Sequence, residues 1–493
     1  MLRYILLSLF LAITPAFGQG VMTTNNYGRL NLATDFGADP TGQTDISTAL
    51  TKAINSGKPI YIPPGTYLLS GIVTDSNALP VDIQGAGPLA TTIHLTGSIN
   101  ISQTGNFTIY FSMRNIGINF DGSGQISLSG TTYNNSQPQQ GPLFDNVFFN
   151  VLSSYSGAGP ALNFATVSAG RIVNSFGLIN AVGTSTNPNI LTNFIEISGQ
   201  SMNWEFVGDQ FWDNINGSNT SNITNGLYLN GASTNGIQGT RIGNSMFVGF
   251  SKGIYIGPNN ITVQIENCML DQNFYPVYIN SGSSSTPSTD IRIHNTYMGS
   301  SAAASSGSSA VYIGGNGTTT INISQSTAIS YNSGNYSIDL TGAVANNVTL
   351  LDVNMGSSPI NNPNNVPLGT IQTAGPVTVS GLITGSNIAN PSVITLGTPT
   401  PVSGTAYQWN GPGILQLSCP ITMNPTSTAA ATAALDIGPT STPATQIDYQ
   451  SRPAGITAIT GEVVSLHADV PNGWYYEISV TNATIGTCVA VAH

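Results

Sequence analysis

The sequence predicts an all-β solenoid, a parallel β-helix, from three observations: a polar position that recurs about once per coil, a second recurring strand triplet, and a composition suited to stacked strands with tight corners. The first column reads apolar, any residue, then Asn or a polar substitute. It comprises Met113-Arg114-Asn115, Phe144-Asp145-Asn146, Ile172-Val173-Asn174, Val207-Gly208-Asp209, Ile242-Gly243-Asn244, Ile265-Glu266-Asn267, Ile293-His294-Asn295 and Ile323-Ser324-Gln325. Successive polar positions lie 31, 28, 35, 35, 23, 28 and 30 residues apart. The second column is an apolar-X-apolar strand after each later unit: Ile195-Glu196-Ile197, Leu227-Tyr228-Leu229, Ile254-Tyr255-Ile256, Val277-Tyr278-Ile279, Val311-Tyr312-Ile313 and Ile338-Asp339-Leu340. Period-two alternation buries the outer two residues of each triplet and turns the middle one outward. Adjacent coils stack about 4.8 Å apart, so each column becomes a ladder. The polar column is expected to be a buried amide ladder at a corner, each rung hydrogen-bonded to the coils above and below.

Only 6% of residues are charged, against about 25% in ordinary globular chains. Low charge often marks disorder or a membrane protein, but the regular apolar columns and the lack of a later apolar run long enough to span argue against both. A net charge of −11 and a pI near 4.5 disfavour nucleic acid or an anionic membrane surface as partner. Neutral glycans stay open.

Residues 1–18 read as a signal peptide: Arg3, an apolar run from Ile5 to Ile13, a break at Pro15, and Ala16-Phe17-Gly18 as cleavage site. The mature protein is expected to be secreted or at the cell surface, of bacterial or prophage origin. The chain has 3 cysteines, too few for a disulfide framework or a metal cluster. Cys419 and Cys488 share one C-terminal segment, and pairing after export and two free thiols both stay open.

The solenoid is assigned to residues 30–355. At its start, Asp35-Phe36-Gly37-Ala38-Asp39-Pro40-Thr41-Gly42-Gln43-Thr44-Asp45 leads into a helix over Ile46 to Asn55, then Ile60-Tyr61-Ile62-Pro63-Pro64-Gly65-Thr66-Tyr67. An amphipathic helix laid over the first coil would cap its open core. This segment resembles the N-terminal signature of the pectate-lyase-like family, which includes rhamnogalacturonase-related enzymes and many phage tailspikes. The resemblance is close from Leu32 to Leu69 and looser to Met355. It implies a right-handed β-helix and a polysaccharide substrate class, without transferring a site.

Residues 356–401, rich in Pro, Gly, Asn and Ser, read as a linker or a few irregular strands. Residues 402–493 alternate as short antiparallel strands, predicting a C-terminal β-sandwich. Within it, Val470-Pro471-Asn472-Gly473-Trp474-Tyr475-Tyr476 resembles the C-terminal domains of phage and prophage tail proteins. That resemblance implies a domain that caps the helix, joins three chains or touches a host surface.

Tyr228, Tyr255, Tyr278 and Tyr312 take the outward slot of successive strands, with Glu196 before and Asp339 after them. Aromatic faces stack on sugar rings, so the stripe suits a polysaccharide lying along the helix axis. A trimer interface or a plain stabilising ladder are its alternatives. On the first column Arg171, Arg241 and Arg292 share an outward register, with Arg241 and Arg292 as candidate sugar ligands. The competing reading pairs Arg241 with Glu266 and Arg292 with Asp290.

For catalysis, Asp213 and Asp271 are read as sharing a register two coils, about 10 Å, apart, just beyond the roughly 6.5–9.5 Å of an inverting glycosidase. Glu266 with Asp271 could supply the closer retaining pair. The orientation of Glu205 is left open, and Asp209 is taken as an Asn substitute in the ladder. The four histidines show no triad order, and no metal or cofactor is expected. The chain is thus read as an exported polysaccharide-binding and polysaccharide-degrading protein, hydrolase or lyase. Its alternative is a non-catalytic, trimeric glycan-binding adhesin or receptor binder.

Overall fold

The computed structural model describes residues 28–492 apart from several breaks, the longest being 103–109, 131–140, 181–190, 214–223 and 381–394. The signal-peptide reading lies outside the described residues.

Asn31 opens the structure by accepting the amides of Ala33 and Thr34, which caps a short helix, α1 (Leu32–Phe36). Gly37, at φ 71°, closes it in the left-handed conformation that suits glycine. A second helix, α2 (Ser47–Ile54), buries Leu50, Ala53 and Ile54 over the first coil, as the capping expectation required. Asp45 ties cap to coil by accepting the amides of Ser47 and of Ser70, just past the strand Gly65–Leu69.

Beyond the cap the chain winds as a parallel β-helix. Each coil gives two consecutive strands to one bent sheet of 22 strands and one strand to a second sheet of 13. Ile172, Phe206, Ile242, Ile265, Ile293 and Ile323 stack in register inside, each at most 1% exposed. Farther along the coil Phe149, Phe194, Phe211 and Phe247 form an interior chain with ring centroids 6.0, 5.3 and 5.2 Å apart. Each such contact adds about 0.5–1.5 kcal/mol to the burial term.

The corner between the two strands of the bent sheet explains the polar column. Asn115, Asn146, Asn174, Asn244, Asn267, Asn295 and Gln325 all have φ between 45° and 54°. Among residues with a Cβ, Asn tolerates this left-handed conformation best. The ladder is solvent-exposed at nearly every rung, contrary to the burial expected of it. Side-chain bonds still join rungs, Asn146 donating to Asn115 at 2.8 Å and Asn295 to Asn267 at 2.7 Å.

One coil is registered differently from the sequence reading. Val207 pairs with Val173 and Gly243, so Gly208 (φ 74°), not Asp209, occupies the corner. Glycine takes that conformation without steric cost. Asp209 shifts one position on and points inward, into a buried polar column with Ser175, Ser245, Cys268, Thr296 and Ser326. Members of this column accept an amide from the coil before and donate to the carbonyl two residues back: Ser245 accepts from Asp209 at 3.2 Å and donates to Gly243 at 2.9 Å.

Coil strands continue past Met355 at Ile360–Asn361, Leu368–Thr373, Thr378–Ser380 and Thr395–Gly397. The C-terminal part forms two four-stranded antiparallel sheets around a second core that includes Leu417, Ile421, Leu435, Leu466 and Ile478. Cys419 and Cys488 form a disulfide there.

Candidate functional site

The outer face of the 13-stranded sheet carries the tyrosine column in one unbroken register: Glu196, Tyr228, Tyr255, Tyr278, Tyr312, Asp339. Rings of Tyr228 and Tyr255 stack at 4.3 Å, Tyr255 meets Tyr278 edge-on at 5.0 Å, and Tyr278 stacks on Tyr312 at 4.6 Å. Tyr275 packs beside the last pair, 5.3 Å from Tyr278 and 5.5 Å from Tyr312. All five tyrosines are partly exposed.

The carboxylates at the ends are fixed by amides. Glu196 accepts from Asn193 and Asn230, both at 2.9 Å, and Asp339 accepts from Asn361 at 3.0 Å. Lys252 lies against the middle of the stripe, its Nζ 5.0 Å from the Tyr255 ring centre and 4.9 Å from that of Tyr278. Burial lowers the Lys252 pKa, and burial followed by the nearby Asp339 pushes the Tyr275 hydroxyl up to about 12. Burial also raises Tyr228, Tyr278 and Tyr312. The hydroxyls of Tyr228 and Tyr278 are also hydrogen-bonded to those of Tyr255 and Tyr312.

The first-column strands form a different face. Arg171, Glu205, Arg241, Gln264 and Arg292 stand in one register. Arg171 binds Glu205 at 2.8 Å, Arg241 lies 3.6 Å from the same carboxylate and pairs closely with Glu266, and Arg292 pairs with Asp290 at 2.8 Å. Arg241 and Arg292 are thus engaged in ion pairs between and within coils, the competing reading of the sequence. Glu205, whose orientation the sequence left open, is the outward link between Arg171 and Arg241.

The register shift at Gly208 separates the nominated acids. Trp212, not Asp213, aligns with Val248 and Asp271. Asp213 and Asp271 therefore do not share a register: period-two alternation puts Asp213 inward, 5% exposed, and Asp271 on the outer surface. Glu266 sits on the arginine face, across the corner from Asp271. Asp271 overhangs Gly299, where a Cβ would come within 2.6 Å of its Oδ1, with the Tyr297 ring alongside. Next to it a cleft of about 440 Å³ runs along the corner, lined by Gln210, Asn244, Asn267, Asn295, Tyr297 and Gln325.

Sequence reasoning missed one pair. His94 Nε2 lies 2.7 Å from Asp121 Oδ2, joined across coils that bring residues 27 positions apart together. Bonds from Ser154, then His94, hold the Asp121 carboxyl below its ordinary value. No group of three or more His, Cys, Asp or Glu is placed to hold a metal ion among the described residues. Nor is any described helix long and apolar enough to cross a membrane.

This geometry is that of a parallel β-helix, and the N-terminal part of the chain is similar to the pectate-lyase-like family. Residues 30–157 match the family model for rhamnogalacturonase A/epimerase, pectate lyase-like. A search of curated protein sequences finds no match. Among solved structures, the tailspike protein gp49 from Pseudomonas phage LKA1 superposes with TM-score 0.52 at 14% identity, covering 91% of this chain and 99% of that one. A double-mutant tailspike protein of E. coli bacteriophage HK620 gives 0.46 at 12% identity over 94% and 93%. The catalytic unit of a GH87 alpha-1,3-glucanase from Streptomyces thermodiastaticus gives 0.43 at 16% identity over 73% of this chain, which spans 62% of that chain's length. These likenesses are ones of fold.

Proposed function

We propose that this is an exported protein that binds a polysaccharide along the tyrosine face of its β-helix. The observation that carries the reading is the run of four outward tyrosines in one register, bounded by Glu196 and Asp339. Its half-buried rings offer apolar faces to sugar, while protonated hydroxyls and fixed carboxylates offer polar contacts at its edges and ends. The Cys419–Cys488 disulfide supports an oxidising compartment, in keeping with export. A homotrimer belongs to the same proposal, because Phe176, Trp212 and Met269 leave an apolar outer face on the bent sheet, each about 38–40% exposed.

Tyr255→Ala and Tyr278→Ala test it on a glycan array followed by calorimetry. Each is expected to weaken binding by about 1–3 kcal/mol. Unchanged glycan affinity together with loss of the trimer, read by light scattering, would assign the stripe to the interface.

Cleavage is the second reading, favoured by Asp271, which stands outward beside Tyr297, a residue that lines the corner cleft. Release of reducing ends, or of unsaturated uronate absorbing in the ultraviolet, separates hydrolase and lyase from binder.

A further inference from the structure

We propose that Asn225 and Lys252 are the two halves of a self-forming covalent cross-link, an amide between their side chains that staples two adjacent coils of the solenoid.

Asn193, Asn225 and Lys252 hold one register on three successive strands of the 13-stranded sheet, each three residues before a member of the Glu196–Tyr228–Tyr255 column. Hydrogen bonds fix which way the amides point. As a carboxylate Glu196 can only accept, so the Asn193 nitrogen faces it at 2.9 Å, and the Asn193 oxygen is left to accept Nδ2 of Asn225 at 2.8 Å. The nitrogen of Asn225 is thus turned to the coil before, which leaves its carbonyl for the coil after, the one that carries Lys252. Asn225 is 8% exposed, and its Oδ1 is buried without a hydrogen-bond partner. A buried polar atom left in that state calls for a cause.

Lys252 is the matching amine. It makes no ion pair among the described residues and lies against the Tyr255 and Tyr278 rings. Burial lowers its pKa and so raises the share of free amine, the nucleophilic form. Adjacent coils stand about 4.8 Å apart, within the reach of a lysine side chain, so rotation about its own bonds carries Nζ from the rings to Cγ of Asn225. Two groups held in one register react with an intramolecular advantage. Nζ bonds to Cγ, the Cγ–Nδ2 bond breaks, one Nζ proton passes to Nδ2, and ammonia leaves. No oxidant or reductant is consumed. The product closes a loop between positions 225 and 252, which restricts the unfolded chain and holds the two coils together.

The test is mass spectrometry of the purified full-length protein and of its tryptic digest, both read under denaturing conditions. The wild type is expected to be lighter than its sequence requires by one molecule of ammonia. Trypsin should then fail to cut after Lys252, so that residues 172–241 are recovered joined to residues 242–292. Lys252→Arg keeps a cation over the rings but has no nucleophilic amine, and Asn225→Ala has no carbonyl. Each should show the full mass of its sequence and melt below the wild type. Their double variant should melt no lower than the weaker single one, because both remove the same bond. A wild type of full mass that is cut after Lys252 overturns the link, whatever the variants do. Loss of ammonia with normal cutting after Lys252 overturns it as well, since Asn225 has then closed on the amide of Gly226 instead.

Discussion

Asp209 accepts the amide of Ser175 at 2.8 Å from a position with no exposed surface, in a column where the neighbouring coils place Ser175 and Ser245. Burial drives its carboxyl well above the ordinary value. The amides of Ser175 and Val207 oppose the shift and the charge of Asp145 adds to it. Burial thus favours the protonated form of this acid, where its neighbours hold hydroxyls.

A raised folded-state pKa contributes stability below the unfolded value, and that stability is lost as pH rises through the folded one. Asp209→Asn cannot ionise. Relative to the variant, the wild type should lose about 1.4 kcal/mol per pH unit above the ordinary carboxylate range until the folded pKa is reached. Thermal melts of both proteins at stepped pH measure this, and parallel curves would mean that Asp209 does not titrate in that window.

The corner column makes a prediction about backbone conformation. Asn267→Gly should be nearly neutral, while Asn267→Val should cost about 1–2 kcal/mol, because a β-branched residue fits the left-handed region poorly. Gly208→Val should cost at least as much. Urea midpoints at constant slope test the order.

Close packing of backbone on Trp204 sets a third expectation. A Cβ at Gly170 would lie 2.4 Å from the Trp204 ring, which is 1% exposed and donates to the Val167 carbonyl at 2.7 Å. Gly170→Ala should cost about 1–3 kcal/mol by overpacking. Recovery in the double variant with Trp204→Phe would locate the strain at that contact.

For catalysis, Asp271→Asn should lower turnover by at least about 100-fold on a cleaved glycan while binding persists. Asp213→Asn should act on stability instead, since Asp213 faces the core. Full activity in Asp271→Asn and Glu266→Gln alike would leave the protein a binder.

Much of this architecture was legible because period two is strict on the tyrosine strands: Leu227-Tyr228-Leu229 and its successors admit one register only. The corner was less secure in one coil. Val207-Gly208-Asp209 satisfies the apolar-X-polar pattern and Phe206-Val207-Gly208 does not, and only the demand for a left-handed residue chooses glycine. That one-residue slip moved Asp213 from the core to the surface in the sequence reading and created a carboxylate pair that the fold does not contain. The buried polar column carried a signal of its own, since Ser175, Ser245, Cys268, Thr296 and Ser326 each follow a corner residue. The His94–Asp121 pair carried none, because the contact depends on how far each coil's loops extend.

The tyrosine rungs are not four copies of one contact. Two parallel pairs, Tyr228 with Tyr255 and Tyr278 with Tyr312, meet edge-on in the middle, so the aromatic surface repeats every two coils, about 10 Å. Under the proposed glycan binding, a polymer displaced by that step would meet a similar aromatic pair again. Tyr275 beside the second pair and the groups at Glu196, Lys252 and Asp339 break the equivalence, so under the proposed glycan binding the rings would act as a rail along which a long chain shifts, with these groups as its detents.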